Sequence, residues 1–261
     1  VNMIDYLPNF LDGLFNMLSD PTREIRQAAD SALSEFLREA RTSAVVEFGP
    51  IVSILVFQCH SKERLNRLTA ITWLMELIHH PHSGGDCLLP YHADMLGAIM
   101  TCISDVEVEI RMVSERMNGD FLTMVKDTDA DFALPALLDT MTKQLLEKQD
   151  VPTKMAALRW INMLLEKRKG DMDEFIKDLL PVLLRCLNDS SDAVVLLTVQ
   201  VLSRISLSDN TTSAHLARTD KANVTDETQR EKDKFKMVVN AILKLFASDR
   251  RLLETRGSLI V

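Results

Sequence analysis

Five prolines, Pro8, Pro50, Pro90, Pro135 and Pro181, recur along the chain at intervals of 42, 40, 45 and 46 residues. A period of that size constrains the fold more than any single motif. A unit of forty-odd residues cannot bury its apolar face alone and must stack on its neighbours. Each proline opens a helical pattern, where its missing N–H and fixed φ are tolerated. After Pro8, Leu11, Leu14, Phe15 and Leu18 continue Leu7 and Phe10 at the spacing of a helix with one buried face. The corner that follows predicts Asp20 as N-cap and Pro21 as first helical residue. A second helical stripe then runs through Ile25, Ala28, Ala29, Ala32, Leu33, Phe36 and Leu37. So short a connection makes the two helices antiparallel.

The unit returns with different letters. "IVSILVFQCH" turns at Ser61 into "LTAITWLMELI"; Met95 to Ile103 turns at Asp105 into a stripe through Ile110, Val113, Met117 and Phe121. Leu134 to Leu145 turns at Asp150 and Pro152, Ile176 to Leu187 turns at "NDSSD", and a sixth unit starts with Phe235 and Val238. The spacing predicts an all-α chain, an α-solenoid of HEAT-type helical hairpins. About five and a half repeats are expected, over 1–42, 43–86, 87–131, 132–171, 172–207 and 235–261. HEAT is preferred to armadillo because a third helix and its helix-breaking glycine are missing. Segment 208–234 has no aromatic, Ile or Met, and predicts a polar insertion loop or a charged helical extension. Opening "VNMIDYLP" without an initiator Met and stopping at "GSLIV" in mid-pattern, the chain reads as a piece of a longer protein.

Composition agrees with helix. Of 261 residues, 46% are hydrophobic, 5% aromatic and only 8 are Gly, and no stretch alternates in the manner of a strand. A net charge of -8 argues against a nucleic-acid surface or direct adhesion to anionic lipid, both of which need clustered Lys and Arg. No apolar run approaches the roughly 20 residues of a membrane span, so membrane association is expected to be indirect. The four cysteines are scattered, without a secretory leader before them, which points to a reducing, cytosolic setting.

Residues with chemical potential fall into three groups. In the corners an Asp or Ser is followed six positions later by Arg: Asp20 with Arg26, Ser61 with Arg67, Asp105 with Arg111. They are expected to form a structural ladder from repeat to repeat, each exposed rung worth roughly 0–1 kcal/mol. "HHPHSGGDC", with His79, His80, His82 and Cys87 near His92, is the one metal-like cluster. It lacks the second ligand pair of a zinc site and reads as a polar loop; a metal-dependent enzyme centred on 79–92 is the competing view. "KDTDADF" sets Asp127, Asp129 and Asp131 on alternate positions, but Phe132 stands where a calcium loop needs Gly. Trp73 and Trp160 lie in apolar helical stripes and are expected in the core. No phosphate-cradling loop, nucleophile elbow or zinc-protease helix occurs, so no catalytic, cofactor or metal residue is assigned and no enzyme is expected.

Particular strings go beyond periodicity. "IDYLPNFLDGLFNMLSDPTREIRQAADSALSEFLREA", "LTAITWLMELI", "KMAALRWINMLLEK" and above all "RRLLETRGSLIV" at 250–261 resemble the vacuole-morphology (Vac-fourteen) family. This is the HEAT-repeat scaffold family of the PIKfyve lipid-kinase complex. The resemblance covers the whole chain and implies a non-catalytic scaffold. It would organise a PIKfyve-type lipid kinase, which makes phosphatidylinositol 3,5-bisphosphate, and the Sac-type phosphatase that removes the same phosphate. It further implies a cytosolic protein held peripherally on endosomal or vacuolar (lysosomal) membranes, with self-association through regions outside this chain. Partner-binding residues are not carried over. The alternative is a HEAT adaptor of another system, such as nuclear transport or phosphatase regulation.

Overall fold

The computed structural model describes residues 6–43, 48–79, 86–128, 130, 132–206 and 221–260. Among them there is no strand. Thirteen helices follow in order: α1 (Leu7–Met17), α2 (Arg23–Thr42), α3 (Phe48–Gln58), α4 (Arg64–Ile78), α5 (His92–Cys102), α6 (Val108–Asp127), α7 (Leu134–Glu147), α8 (Val151–Lys167), the single turn α9 (Lys169–Met172), α10 (Ile176–Cys186), α11 (Asp192–Ser206), α12 (Lys221–Ser248) and α13 (Arg250–Ile260). A 3₁₀ turn, Asp86–Tyr91, leads into α5. The fold is an all-α solenoid of HEAT-type hairpins. Its residues divide into two compact units, Val1–Met141 and Thr142–Val261.

In the first unit the hairpins α1/α2, α3/α4 and α5/α6 stack in register: α1 on α3 on α5, and α2 on α4 on α6. The second helix of each hairpin shows why. Its third, seventh and tenth residues recur on one face, as 3.6-residue periodicity requires. The seventh is always small, Ala29, Ala70 and Ser114, and always buried, which lets neighbouring helices approach closely. The tenth fills the space with Trp73 and Met117, both buried; at the first hairpin Ala32 holds this place. Close approach also explains Gly49, in the first turn of α3, where a Cβ would lie 2.3 Å from the Tyr91 hydroxyl.

The second unit repeats the scheme. α8 packs on α11 and α11 on α13, while α10 packs on α11 and α12. Ala157 and Thr198 take the small seventh position, and Trp160 and Val201 the tenth, all fully buried. Both tryptophans are therefore core residues. α12 starts at Lys221, so 221–234 are helical; residues 208–220 lie outside the described residues.

Two local expectations need correction. Asp20 is not an N-cap: α2 starts at Arg23, with Thr22 as its cap residue. Instead the Asp20 carboxylate accepts from the Thr22 N–H at 2.7 Å, a side-chain-closed turn ahead of the helix. Pro181 does not open a helix either. α10 begins five residues earlier, at Ile176, and Pro181 sits inside it. The apolar stripe from Ile176 to Leu187 holds the helix together despite the lost hydrogen bond.

Candidate functional site

Four corners repeat one geometry. A side-chain oxygen closes the turn on the N–H two residues on: Asp20 to Thr22 at 2.7 Å, Ser61 to Glu63 at 3.1 Å, Asp105 to Glu107 at 2.9 Å and Asp189 to Ser191 at 2.9 Å. At the first three of these corners the Arg six positions later is the fourth residue of the following helix, and it folds back over its own turn. Arg26 donates to the carbonyls of Asp20 and Pro21 at 2.7 and 2.9 Å. Arg67 does the same to Ser61 and Lys62 at 3.1 and 2.9 Å, and Arg111 to Asp105 and Val106 at 2.6 and 3.0 Å. The six-residue spacing is thus a clamp within one repeat, which satisfies carbonyls left without helical partners.

Between repeats the contacts are fewer. Arg67 also reaches forward to the next corner, with Nε 2.6 Å from Asp105 Oδ2 and Nη2 3.0 Å from Oδ1, a two-pronged pair. The side chains are only 13% and 7% exposed. Burial works to raise the Asp105 carboxyl, but the Arg67 and Glu107 hydrogen bonds and the charges of Arg67 and Arg111 outweigh it and hold it below the usual range. Hydrogen bonding to Asp105 raises the Arg67 guanidinium in turn. Arg26 has no such rung available, because the matching corner residue is Ser61, which offers no carboxylate. The first two hairpins are joined instead by a polar chain: Ser19 to Asn66 at 3.1 Å, Asn66 to Gln58 at 3.0 Å and Gln58 to Asp12 at 3.1 Å.

A rung of the second unit escaped the sequence reading. Lys154 Nζ lies 2.6 Å from Asp189 Oδ2, the two side chains 10% and 8% exposed. Lys154 is the fourth residue of α8, as Arg67 is of α4. The signal was available by counting from the helix start, whereas counting from an Asp fails because Lys148 occupies that place. Nearby, Arg256 of "RRLLETRG" donates to the Ser190 carbonyl at 3.0 Å and pairs with Asp192. The string therefore has a packing role: its Arg grips the preceding corner and its Gly257 is buried.

The remaining candidates do not converge on a reactive centre. His79 Nδ1 lies 2.7 Å from the Met75 carbonyl, and its Nε2 is 3.3 Å from Asp120. His92 is buried against Phe121, rings edge to face at 5.0 Å. His80, His82, Asp129, Asp131 and the Cys87 side chain lie outside the described residues. Among the described residues no three His, Cys, Asp or Glu side chains gather as metal ligands. Cys59 and Cys102 are buried together, Cys102 Sγ 3.6 Å from the Cys59 carbonyl. Their mutual hydrogen bond and burial push the Cys59 thiol well up. Burial pushes Cys186 up to about 11, so neither residue presents a thiolate at neutral pH.

Stacked hairpins with clamped corners define a HEAT-repeat protein, and residues 54–196 match the family model described as EF3 N-terminal HEAT repeat. Over its whole length the chain is 39% identical to Protein VAC14 homolog of Arabidopsis thaliana, of which it covers 32%. It is also 23% identical to Protein VAC14 homolog of Schizosaccharomyces pombe, covering 37% of it. Against Vacuole morphology and inheritance protein 14 of Saccharomyces cerevisiae, 83% of the chain aligns at 19% identity, with 22% of that protein covered. The chain belongs to the VAC14 family of HEAT-repeat proteins. It spans about a third of the length of the Arabidopsis relative. Among solved structures, a computationally designed armadillo repeat protein for modular peptide recognition aligns with 88% of this chain and 99% of its own. Its TM-score is 0.43 at 15% identity. A chain of the Kap95p–RanGDP complex aligns with 99% of this chain and 33% of its own, with TM-score 0.42 and 14% identity.

Proposed function

We propose that this chain is the repeat segment of a non-catalytic scaffold that organises a PIKfyve-type lipid kinase and a Sac-type phosphatase. The scaffold would hold the two opposing activities at one place, so that synthesis and removal of phosphatidylinositol 3,5-bisphosphate are coupled. The observation that carries this reading is the 39% identity, over every residue of the chain, to a VAC14 homologue. Its support in the molecule is the use made of polar chemistry. The corner cations are occupied by turn carbonyls and by ion pairs between repeats, and the described cysteines are buried. A stacked array of this kind offers partners a long surface, to which each hairpin adds a strip.

Recruitment to endosomal or vacuolar membranes follows through the partners. No helix among the described residues is long and apolar enough to cross a membrane. Self-association is assigned to regions outside this chain. The test is co-precipitation of the kinase and of the phosphatase with the full-length parent and with parents lacking this segment. Loss of either partner on deletion is the expected result. Undiminished capture of both would remove the scaffold role from this segment.

A further inference from the structure

The three corners of the first unit share one backbone geometry but not one surface. At the residue after the corner position, and at the first and fifth residues of the following helix, the first corner carries Pro21, Arg23 and Gln27. The second carries Lys62, Arg64 and Leu68. The third carries Val106, Val108 and Met112. These last three are 84%, 56% and 65% exposed. Nothing in the hairpin requires apolar side chains there, since the corresponding places elsewhere in the unit are largely polar. Val108 and Met112 stand one turn apart on the same face of α6, with Val106 at its foot. On α4, packed alongside, Leu68 occupies the place equivalent to Met112. Exposed apolar side chains grouped on one corner in this way mark an interaction site more often than singly scattered ones do.

Charge selects the partner. Glu107, Glu109 and Glu115 surround the apolar residues. Arg64, reaching across from α4, is the cation that answers the first two, 3.3 Å from Glu107 and paired with Glu109 as well. The other guanidiniums nearby are engaged: Arg111 on the turn carbonyls, Arg67 on Asp105 and Arg116 on Asp120 at 3.8 Å. Glu107 and Glu109 thus share one guanidinium, and Glu115 adds a third carboxylate beside the same apolar residues. We propose that the third corner of the first unit docks a basic amphipathic helix of another protein. Apolar side chains spaced one turn apart would seat on Val108 and Met112, with flanking Lys or Arg reaching Glu107, Glu109 and Glu115. The second unit makes a natural control. Leu196, at the fifth position of α11, is 51% exposed, but Asp192 beside it is already paired with Arg256.

This deepens the scaffold reading by naming a surface and a class of ligand, and it rests on that reading only in supposing that the segment binds proteins. The probes are two synthetic helical peptides with the same Leu face, one flanked by Lys and the other by Glu. Each is titrated against the protein by fluorescence anisotropy at low and at physiological salt. The Lys peptide is expected to bind, and to weaken as salt rises. The double variant Val108→Ser/Met112→Ser and the single variant Val106→Ser should each weaken it, the former at least tenfold, and Glu115→Lys severalfold. Leu196→Ser should leave it unchanged. Val106 is so exposed that its replacement cannot disturb the core, which keeps the test meaningful if the double variant folds poorly. Equal affinity for the Glu peptide, or indifference to all three patch variants, would overturn the proposal. So would concentration-dependent self-association abolished by the same variants, because the patch would then be covered by a second copy. Peptide binding and kinase or phosphatase capture can fail independently, so one outcome does not stand in for the other.

Discussion

The two corner rungs, Arg67–Asp105 in the first unit and Lys154–Asp189 in the second, join consecutive repeats at the same place with different cations. Both pairs are nearly buried, and both acids also close their own turns. The difference lies in what else the cation does. Arg67 spans four acceptors: two carboxylate oxygens of the next corner and two carbonyls of its own. Lys154 makes its one short contact with Asp189 Oδ2. A planar fork can tie two corners together at once, while an ammonium acts as a point charge. The first unit therefore places more of its stability in polar geometry, and in groups that titrate.

Acid should expose that asymmetry most strongly. His92, in the first unit, is buried beside Phe121 and Phe132, and neither ring nitrogen has a partner among the described residues. Burial pushes its pKa down from 6.5 to about 4. A depressed histidine must stay neutral in the fold, while the unfolded chain takes up a proton below about 6.5. Its contribution to stability is thus complete above that pH, declines as pH falls towards 4, and is fully lost below. Over that window the loss amounts to about 3 kcal/mol. Asp105, held low, adds a second decline, as the pH drops below the unfolded carboxylate value and through its own. Hydrogen exchange followed across pH 7 to 4 should show α5 and α6 opening first. His92→Leu should flatten the decline; an unchanged slope would show that the imidazole is hydrated in solution.

Removing the acids breaks the comparison directly. Asp105→Ala strands a guanidinium that is mostly buried, partly relieved by the Ser61 and Lys62 carbonyls it keeps, and should cost about 2 kcal/mol. Asp189→Ala leaves a flexible ammonium that can swing to water, and should cost about 1 kcal/mol. Urea unfolding of the two variants side by side measures the difference. Equal losses would mean that the turn closed by each acid matters more than the rung it completes.

The hairpins were legible because apolar periodicity is a local property of the chain. Leu7, Leu11 and Phe15, or Leu179, Leu183 and Leu187, announce a buried face wherever the chain later goes. What could not be read depends on partners that have no letter. The six-residue spacing of Asp20 and Arg26 suggests a rung from repeat to repeat, yet the acceptors of Arg26 are backbone carbonyls of its own corner. Lys154 is missed by a count from the corner acid because Lys148 stands in that place and its own acid belongs to the next repeat. Pro181 was misplaced because proline marks a helix start only statistically, and the stripe around it was strong enough to absorb it. The exposure of Val106, Val108 and Met112 is likewise a tertiary fact. Among so many apolar residues at helical spacing, only packing separates those a neighbour covers from those it leaves open.

The smallest effect is also the most discriminating, because it exchanges the two cations in place. Arg67→Lys keeps the charge but cannot hold two carboxylate oxygens and two carbonyls together, so turn and rung compete for one ammonium. A loss of about 1 kcal/mol is expected, roughly the net worth of one or two partly buried hydrogen bonds. Lys154→Arg gains donors, but the lysine already meets Asp189 Oδ2 at 2.6 Å, so the fork adds hydrogen bonds to a charge that is already paired. Its effect should stay within about 0.5 kcal/mol of zero, as for most exchanges between well-placed cations. Thermal unfolding of the pair decides whether the corner responds to charge or to geometry. Equal small losses would assign both rungs to charge alone. A marked gain from Lys154→Arg would show that the second unit has turn carbonyls which its lysine fails to reach, and that the fork, wherever it is placed, binds the corner as well as the rung.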